Sequence, residues 1–148
     1  MSFQTLLLLA LIAVAGSWRY DGLRPLSAVI LLSVAVVPFT NNMQVADRMF
    51  VTVPVDVAWS VAAYYTYTQR KEWLGLVFLV IGILFLTSHS AFAISHNAAA
   101  AWYYVAFGNI GFVGSCLLLG GTGFVRSHSH LFLDPGIDHS RDVARKGG

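Results

Sequence analysis

The sequence predicts an all-α integral membrane protein, a bundle of five transmembrane helices joined by short loops. Three observations carry that expectation. The 53 residues from Trp73 to Val125 contain no Asp, Glu, Lys or Arg. A run of ~20 apolar residues already crosses a bilayer, so this stretch is expected to cross twice and to turn at Ser95-His96-Asn97. Charged residues make up 11% of the chain, against about 25% in soluble domains, and the mean hydropathy is +0.68. Third, the basic residues are sorted. With five spans the linkers alternate between two sides, and eight of the nine Lys and Arg residues fall on one of them: Arg19, Arg24, Arg70, Lys71, Arg126, Arg141, Arg145 and Lys146. Arg48 alone falls on the other. Cytoplasmic loops carry the excess of basic residues, so the N-terminus is expected outside and the C-terminus in the cytoplasm.

The first segment, about 3–18, is built on Leu6-Leu7-Leu8-Leu9 and ends at Trp18, Arg19 and Tyr20. Ala13-Val14-Ala15 fits a signal-peptidase site, but no basic residue precedes the apolar run as a signal peptide requires. Cleavage would also put the basic tail outside, so the segment is expected to be retained. The second, about 26–39, is rich in Val, Leu and Ile and stops near Pro38. A polar loop, Thr40 to Arg48, follows. The third, about 50–67, contains Pro54 and Asp56. Both suit the first turn of a helix whose N-cap is Thr52, because proline is tolerated there and the helix dipole favours a carboxylate. After the charged turn Gln69 to Glu72 come the fourth segment, about 73–94, and the fifth, about 98–121. Residues 1–125 thus form the bundle and 126–148 a polar cytoplasmic tail with a turn signal at Asp134-Pro135-Gly136. Trp18, Tyr20, Tyr64, Tyr65, Tyr67 and Trp73 are expected at the inner interface and Trp102, Tyr103 and Tyr104 toward the outer one.

Few residues suggest chemistry. Gly75, Gly82, His89 and His96 recur every seven residues, which lays them along one slowly drifting helical stripe. The glycines admit a close neighbouring helix. His89 and His96 then stand near the outer surface, His89 inside the apolar core and His96 beyond it. A titratable residue within a span is a functional candidate, and His89 has the chemistry to ligate haem or metal or to relay a proton. Asp56 lies at the same depth, so an Asp56–His89 dyad is geometrically open. The simpler expectation is that His89 only hydrogen-bonds Ser88, Ser90 or a facing helix, that His89→Gln is tolerated, and that Asp56 is a helix-start carboxylate. In the fifth segment Gly108, Gly111 and Gly114, with the small-xxx-small pair Gly111 and Ser115, predict close helix packing, and Asn109 near mid-membrane needs a partner. His128, His130, Asp134, Asp138 and His139 in the tail match no metal motif. The lone Cys116 lies in an apolar run and reads as a small hydrophobe.

No cofactor, metal centre or catalytic residue is predicted, and the formal net charge of +2 does not call for nucleic acid. The expected partners are the lipid bilayer and other membrane subunits or further copies of the chain. The leading expectation is a small inner-membrane protein that acts through helix packing, as an accessory or self-assembling subunit of a membrane complex. A holin-like pore former and a cofactor-binding redox or proton-transfer subunit using His89 and Asp56 are the alternatives.

Overall fold

The computed structural model describes residues 2–40, 43, 45–95 and 98–132, with side chains other than those of 45, 46, 49, 93–95, 98–104 and 130–132. These residues form five α-helices and no strand: α1 (Phe3–Ser17), α2 (Arg24–Thr40), α3 (Val45–Thr68), α4 (Trp73–Ser95) and α5 (Ala98–Phe132). The Ser2 side chain caps α1 by accepting from the Thr5 amide. Pro25 stands in the first turn of α2, where its missing N–H costs nothing. Lys71 adopts a left-handed φ of 56° to close the tight turn between α3 and α4.

Two boundaries differ from the expectation. α3 begins at Val45, two turns before Thr52, so Pro54 and Asp56 lie in its interior and not in its first turn. Thr52 is no N-cap; its hydroxyl donates to the Arg48 carbonyl inside the helix. α5 continues through Gly120, Gly121 and Gly123 into the polar residues as far as Phe132. α4 and α5 are long and apolar enough to cross a membrane, through Trp73–Phe92 and Val105–Ser129. The other three miss that standard for two reasons. α1 and α2 are apolar but have 15 and 17 residues. At ~1.5 Å per residue they reach only about 22–26 Å against a hydrocarbon core of ~30 Å. α3 is long enough but too polar, since Asp56 and the Thr- and Tyr-rich end Tyr64 to Thr68 lower its hydropathy.

The helices close into a ring in which each packs on its sequence neighbours and α5 returns to α1. Direction follows from the contacts. Gly75 lies against Ala63 and Tyr67 while Gly82 lies against Trp59 and Ser60, so α3 and α4 are antiparallel. Gly120 meets Ala13 and Gly123 meets Gly16, so α1 and α5 are parallel. The core between them holds Leu6, Ala10, Ala13, Leu26, Ile30, Trp59, Phe78, Phe85, Phe112 and Leu119. Trp59 stacks on Phe78 with ring centroids 5.4 Å apart and donates its indole N–H to the Phe78 carbonyl at 3.1 Å. A buried hydroxyl pair, Ser17 and Ser27 at 2.8 Å, ties the end of α1 to the start of α2.

Candidate functional site

Asp56 and His89 meet where α3 and α4 run antiparallel. The His89 Nδ1 is in hydrogen-bond contact with Asp56 Oδ2, with Nδ1–H donating when the carboxylate is ionised; the two form an ion pair when the imidazole is protonated. The Asp56 side chain is 8% exposed and the His89 side chain 23%. Two local features put the carboxylate there. Starting α3 two turns earlier moves Asp56 from the helix end to its inward face, among the residues around Trp59. The small residue Gly82, whose added Cβ would lie 2.8 Å from Ser60 Oγ and from Trp59 Cδ1, lets α4 approach α3 closely.

The pair lines a cavity of about 190 Å³ to which all five helices contribute. Leu6 comes from α1, Ser33, Val37 and Thr40 from α2, Thr52, Asp56 and Trp59 from α3, Phe85 and His89 from α4, and Gly108, Asn109 and Phe112 from α5. A water occupies ~30 Å³ in the liquid, so the space corresponds to roughly six waters. Its hydroxyls are already oriented: Ser33 Oγ donates to the Val29 carbonyl at 2.7 Å and Thr40 Oγ1 to the Val37 carbonyl at 3.1 Å. Asn109 is thus placed on the cavity wall. Among the described residues, no three His, Cys, Asp or Glu side chains gather at one point.

The remaining sequence candidates distribute as follows. At Gly75 a Cβ would come within 2.5 Å of the Tyr67 amide nitrogen, and at Gly111 within 2.6 Å of the Phe85 ring. Ser115 is buried and donates to the Gly111 carbonyl at 2.8 Å. Gly108 and Gly114, expected at the same helix contact, meet nothing within 4 Å: Gly108 borders the cavity, and Gly114, six residues on, stands on another face of α5. The α5 contact with α1 instead uses Gly120 and Gly123, with Ala13, Gly16 and Ser17 opposite. The signal for it was present as the small residues Ala10, Ala13 and Ser17, three or four apart on one helical face. His128 bonds the Phe124 carbonyl of its own helix at 3.0 Å. His96, Asp134, Asp138 and His139, and the side chains of His130, Trp102, Tyr103 and Tyr104, lie outside the described residues.

A second polar cluster closes the opposite end of the ring. Arg126 of α5 holds Glu72 with both guanidinium nitrogens, at 2.9 and 2.5 Å. That hydrogen-bonded guanidinium keeps the Glu72 carboxyl below its ordinary value, against the opposing effect of burial. The guanidinium also lies 5.8 Å from the centre of the Tyr20 ring, within cation–π range. The cluster joins the α1–α2 loop, the α3–α4 turn and α5. Compared with protein-family models, curated proteins and solved structures, the chain matches none.

Proposed function

We propose that the chain is a multi-pass protein of the cell membrane, of the bacterial inner-membrane kind, whose Asp56–His89 pair takes up and releases a proton inside a small central cavity. In this reading it crosses the bilayer five times, with the N-terminus outside and the C-terminal tail in the cytoplasm. Large apolar side chains turned outward on every helix support a lipid surround: Leu8 and Ile12 on α1, Leu32 on α2, Val61 on α3, Ile83 on α4 and Ile110 on α5. The short helices α1 and α2 are accommodated by local thinning and by flanking Trp and Arg residues that reach the interface. Arg19, Arg24, Arg70, Lys71 and Arg126 stand at the Glu72 end of the ring, Arg48 at the cavity end, which supports the orientation.

The observation that carries the proton-transfer reading is the ionisable pair on a cavity wall. Stability does not call for such a pair: buried ion pairs are commonly replaced by apolar residues at no loss, whereas removal of one partner costs about 3–5 kcal/mol. Histidine is the side chain that changes charge in the physiological range, and a neighbouring carboxylate together with room for a short water chain gives the proton somewhere to go. The cavity is smaller than the ~300–1,000 Å³ of typical pockets for drug-sized ligands, which disfavours haem at His89. The test is reconstitution into liposomes with a trapped pH dye. An imposed pH gradient should dissipate through the wild-type protein and persist with Asp56→Asn or His89→Gln, while larger trapped dyes stay inside. A persistent gradient with wild-type protein would refute the reading, and escape of large dyes would favour the holin-like alternative.

A second reading, helix-mediated assembly as an accessory subunit, is favoured by one observation. Gly114 and Gly121 of α5, seven residues apart on one helical face, have nothing within 4 Å of an added Cβ, so that side can admit another helix. Gly114→Leu should then change the oligomer size in mild detergent.

A further inference from the structure

We propose that the cavity binds a small protonated amine, a compact alkylammonium ion, in exchange for the proton on the Asp56–His89 pair. The inference rests on the proton-transfer reading and adds the ligand class to it. Charge comes first. Among the described residues, the ionisable side chains on the cavity wall are Asp56 from α3 and His89 from α4. Asp47 and Arg48 stand two turns or more outward on α3. With His89 protonated the pair is neutral overall. An ammonium ion that displaces the imidazole from the carboxylate leaves a neutral His89 and an ammonium–carboxylate pair, and the imidazolium proton departs to solvent. One cation enters, one proton leaves and the net charge of the cavity stays at zero, which avoids the large penalty of adding a charge in a low-dielectric interior.

Hydrogen-bond polarity points the same way. A hydroxyl has one hydrogen to donate and two lone pairs. Ser33 and Thr40 give that hydrogen to the Val29 and Val37 carbonyls of their own helix. Toward the cavity they therefore offer lone pairs, which suit a ligand that brings N–H donors and repel an anion. The two residues are seven apart on α2, about 10 Å along the axis at ~1.5 Å per residue. A bare metal ion needs several oxygens within ~2.6 Å, which two hydroxyls so far apart do not supply, whereas an ammonium group needs only the carboxylate and one hydroxyl, with its carbon body on the rest of the wall. Trp59, Phe85 and Phe112 supply an aromatic lining for that body, and aromatic rings also attract cations.

The test uses the full-length protein in mild detergent with propylammonium as the probe. Calorimetry in two buffers of different protonation enthalpy reads both affinity and protons released. The expected result is one proton released per propylammonium bound, with the dissociation constant falling about tenfold per pH unit while His89 is protonated. Tetramethylammonium, which has the charge but no N–H, should bind at least tenfold more weakly, and sodium should not compete. Asp56→Asn should abolish binding. Ser33→Ala, which leaves the ion pair intact, should weaken propylammonium by about fivefold, the worth of one hydrogen bond, without changing the pH titration of the pair. Absence of propylammonium binding to a protein whose pair titrates, equal binding of tetramethylammonium, or binding without proton release would each overturn the ligand assignment alone. A pair that does not titrate would remove the underlying reading as well.

Discussion

Two glycines of α5, two residues apart, are expected to respond to alanine with opposite signs. A Cβ on Gly123 would lie 2.6 Å from the Gly16 carbonyl carbon and 3.0 Å from the Ser17 nitrogen, and would also press on the Gly16 oxygen. All three are backbone atoms, so no rotamer change relieves the overlap. Ordinary contact is ~3.5–4.0 Å, so α1 and α5 must part by roughly 1 Å around Ala13, Gly16 and Gly120. Overpacking of this kind costs about 1–3 kcal/mol. A Cβ on Gly121 meets nothing within 4 Å, and alanine there removes glycine's helix deficit of about 0.5–1 kcal/mol. The two variants should therefore differ by about 1.5–4 kcal/mol, summed from those two ranges. Equilibrium unfolding in mixed micelles, followed by circular dichroism, reads the difference. Gly123→Ala as stable as wild type, or Gly121→Ala as damaged as Gly123→Ala, would refute the α1–α5 packing described above.

Three further outcomes are expected. His89→Leu strands a buried carboxylate and should cost about 3–5 kcal/mol, whereas Asp56→Leu with His89→Leu together should recover most of that loss; an additive double-mutant cycle would mean that the two side chains do not interact. Because Arg126 depresses the Glu72 carboxyl in the folded state, the pair's contribution should be complete above the ordinary value of 4.5 and be lost as pH falls through the lower folded value. The stability gap between wild type and Glu72→Gln at neutral pH should thus close in acid, and a gap that widens in acid would contradict the pairing. Thr66 Oγ1 is fully buried with no hydrogen-bond partner among the described residues, a condition that costs about 1–3 kcal/mol. Thr66→Val should accordingly be neutral or stabilising in thermal unfolding, and a clear loss would show that the hydroxyl is satisfied.

The five helices were legible because apolar runs, charged turns and prolines punctuate the chain. The uncharged stretch Trp73–Val125 forms most of α4 and α5, and the polar pair Asp56 and His89 was visible as two ionisable groups at similar depth. Two things were not legible. Thr52, Pro54 and Asp56 together imitate a helix start, yet α3 extends two turns beyond them. Local capping preferences are worth only about a kilocalorie per mole, too little to fix by themselves where a helix starts. Glycine partners were also hidden. A glycine marks close approach without naming the helix that approaches, so Gly120 and Gly123 could be seen as small while their neighbour Gly16 could not be inferred. Ser33 and Thr40 look like ordinary helical hydroxyls until the ring closes and turns them to one cavity.

The proton-binding claim is tested most directly at the imidazole itself. Histidine-selective nitrogen-15 labelling of the protein in bilayers, with His96, His128, His130 and His139 replaced, isolates the His89 resonances. A spectrum that shows both the protonated and the neutral ring as pH is varied, and that is altered in Asp56→Asn, is the expected result. A His89 spectrum that never changes protonation state, or one indifferent to Asp56→Asn, would contradict the proposal that this pair exchanges a proton in the membrane.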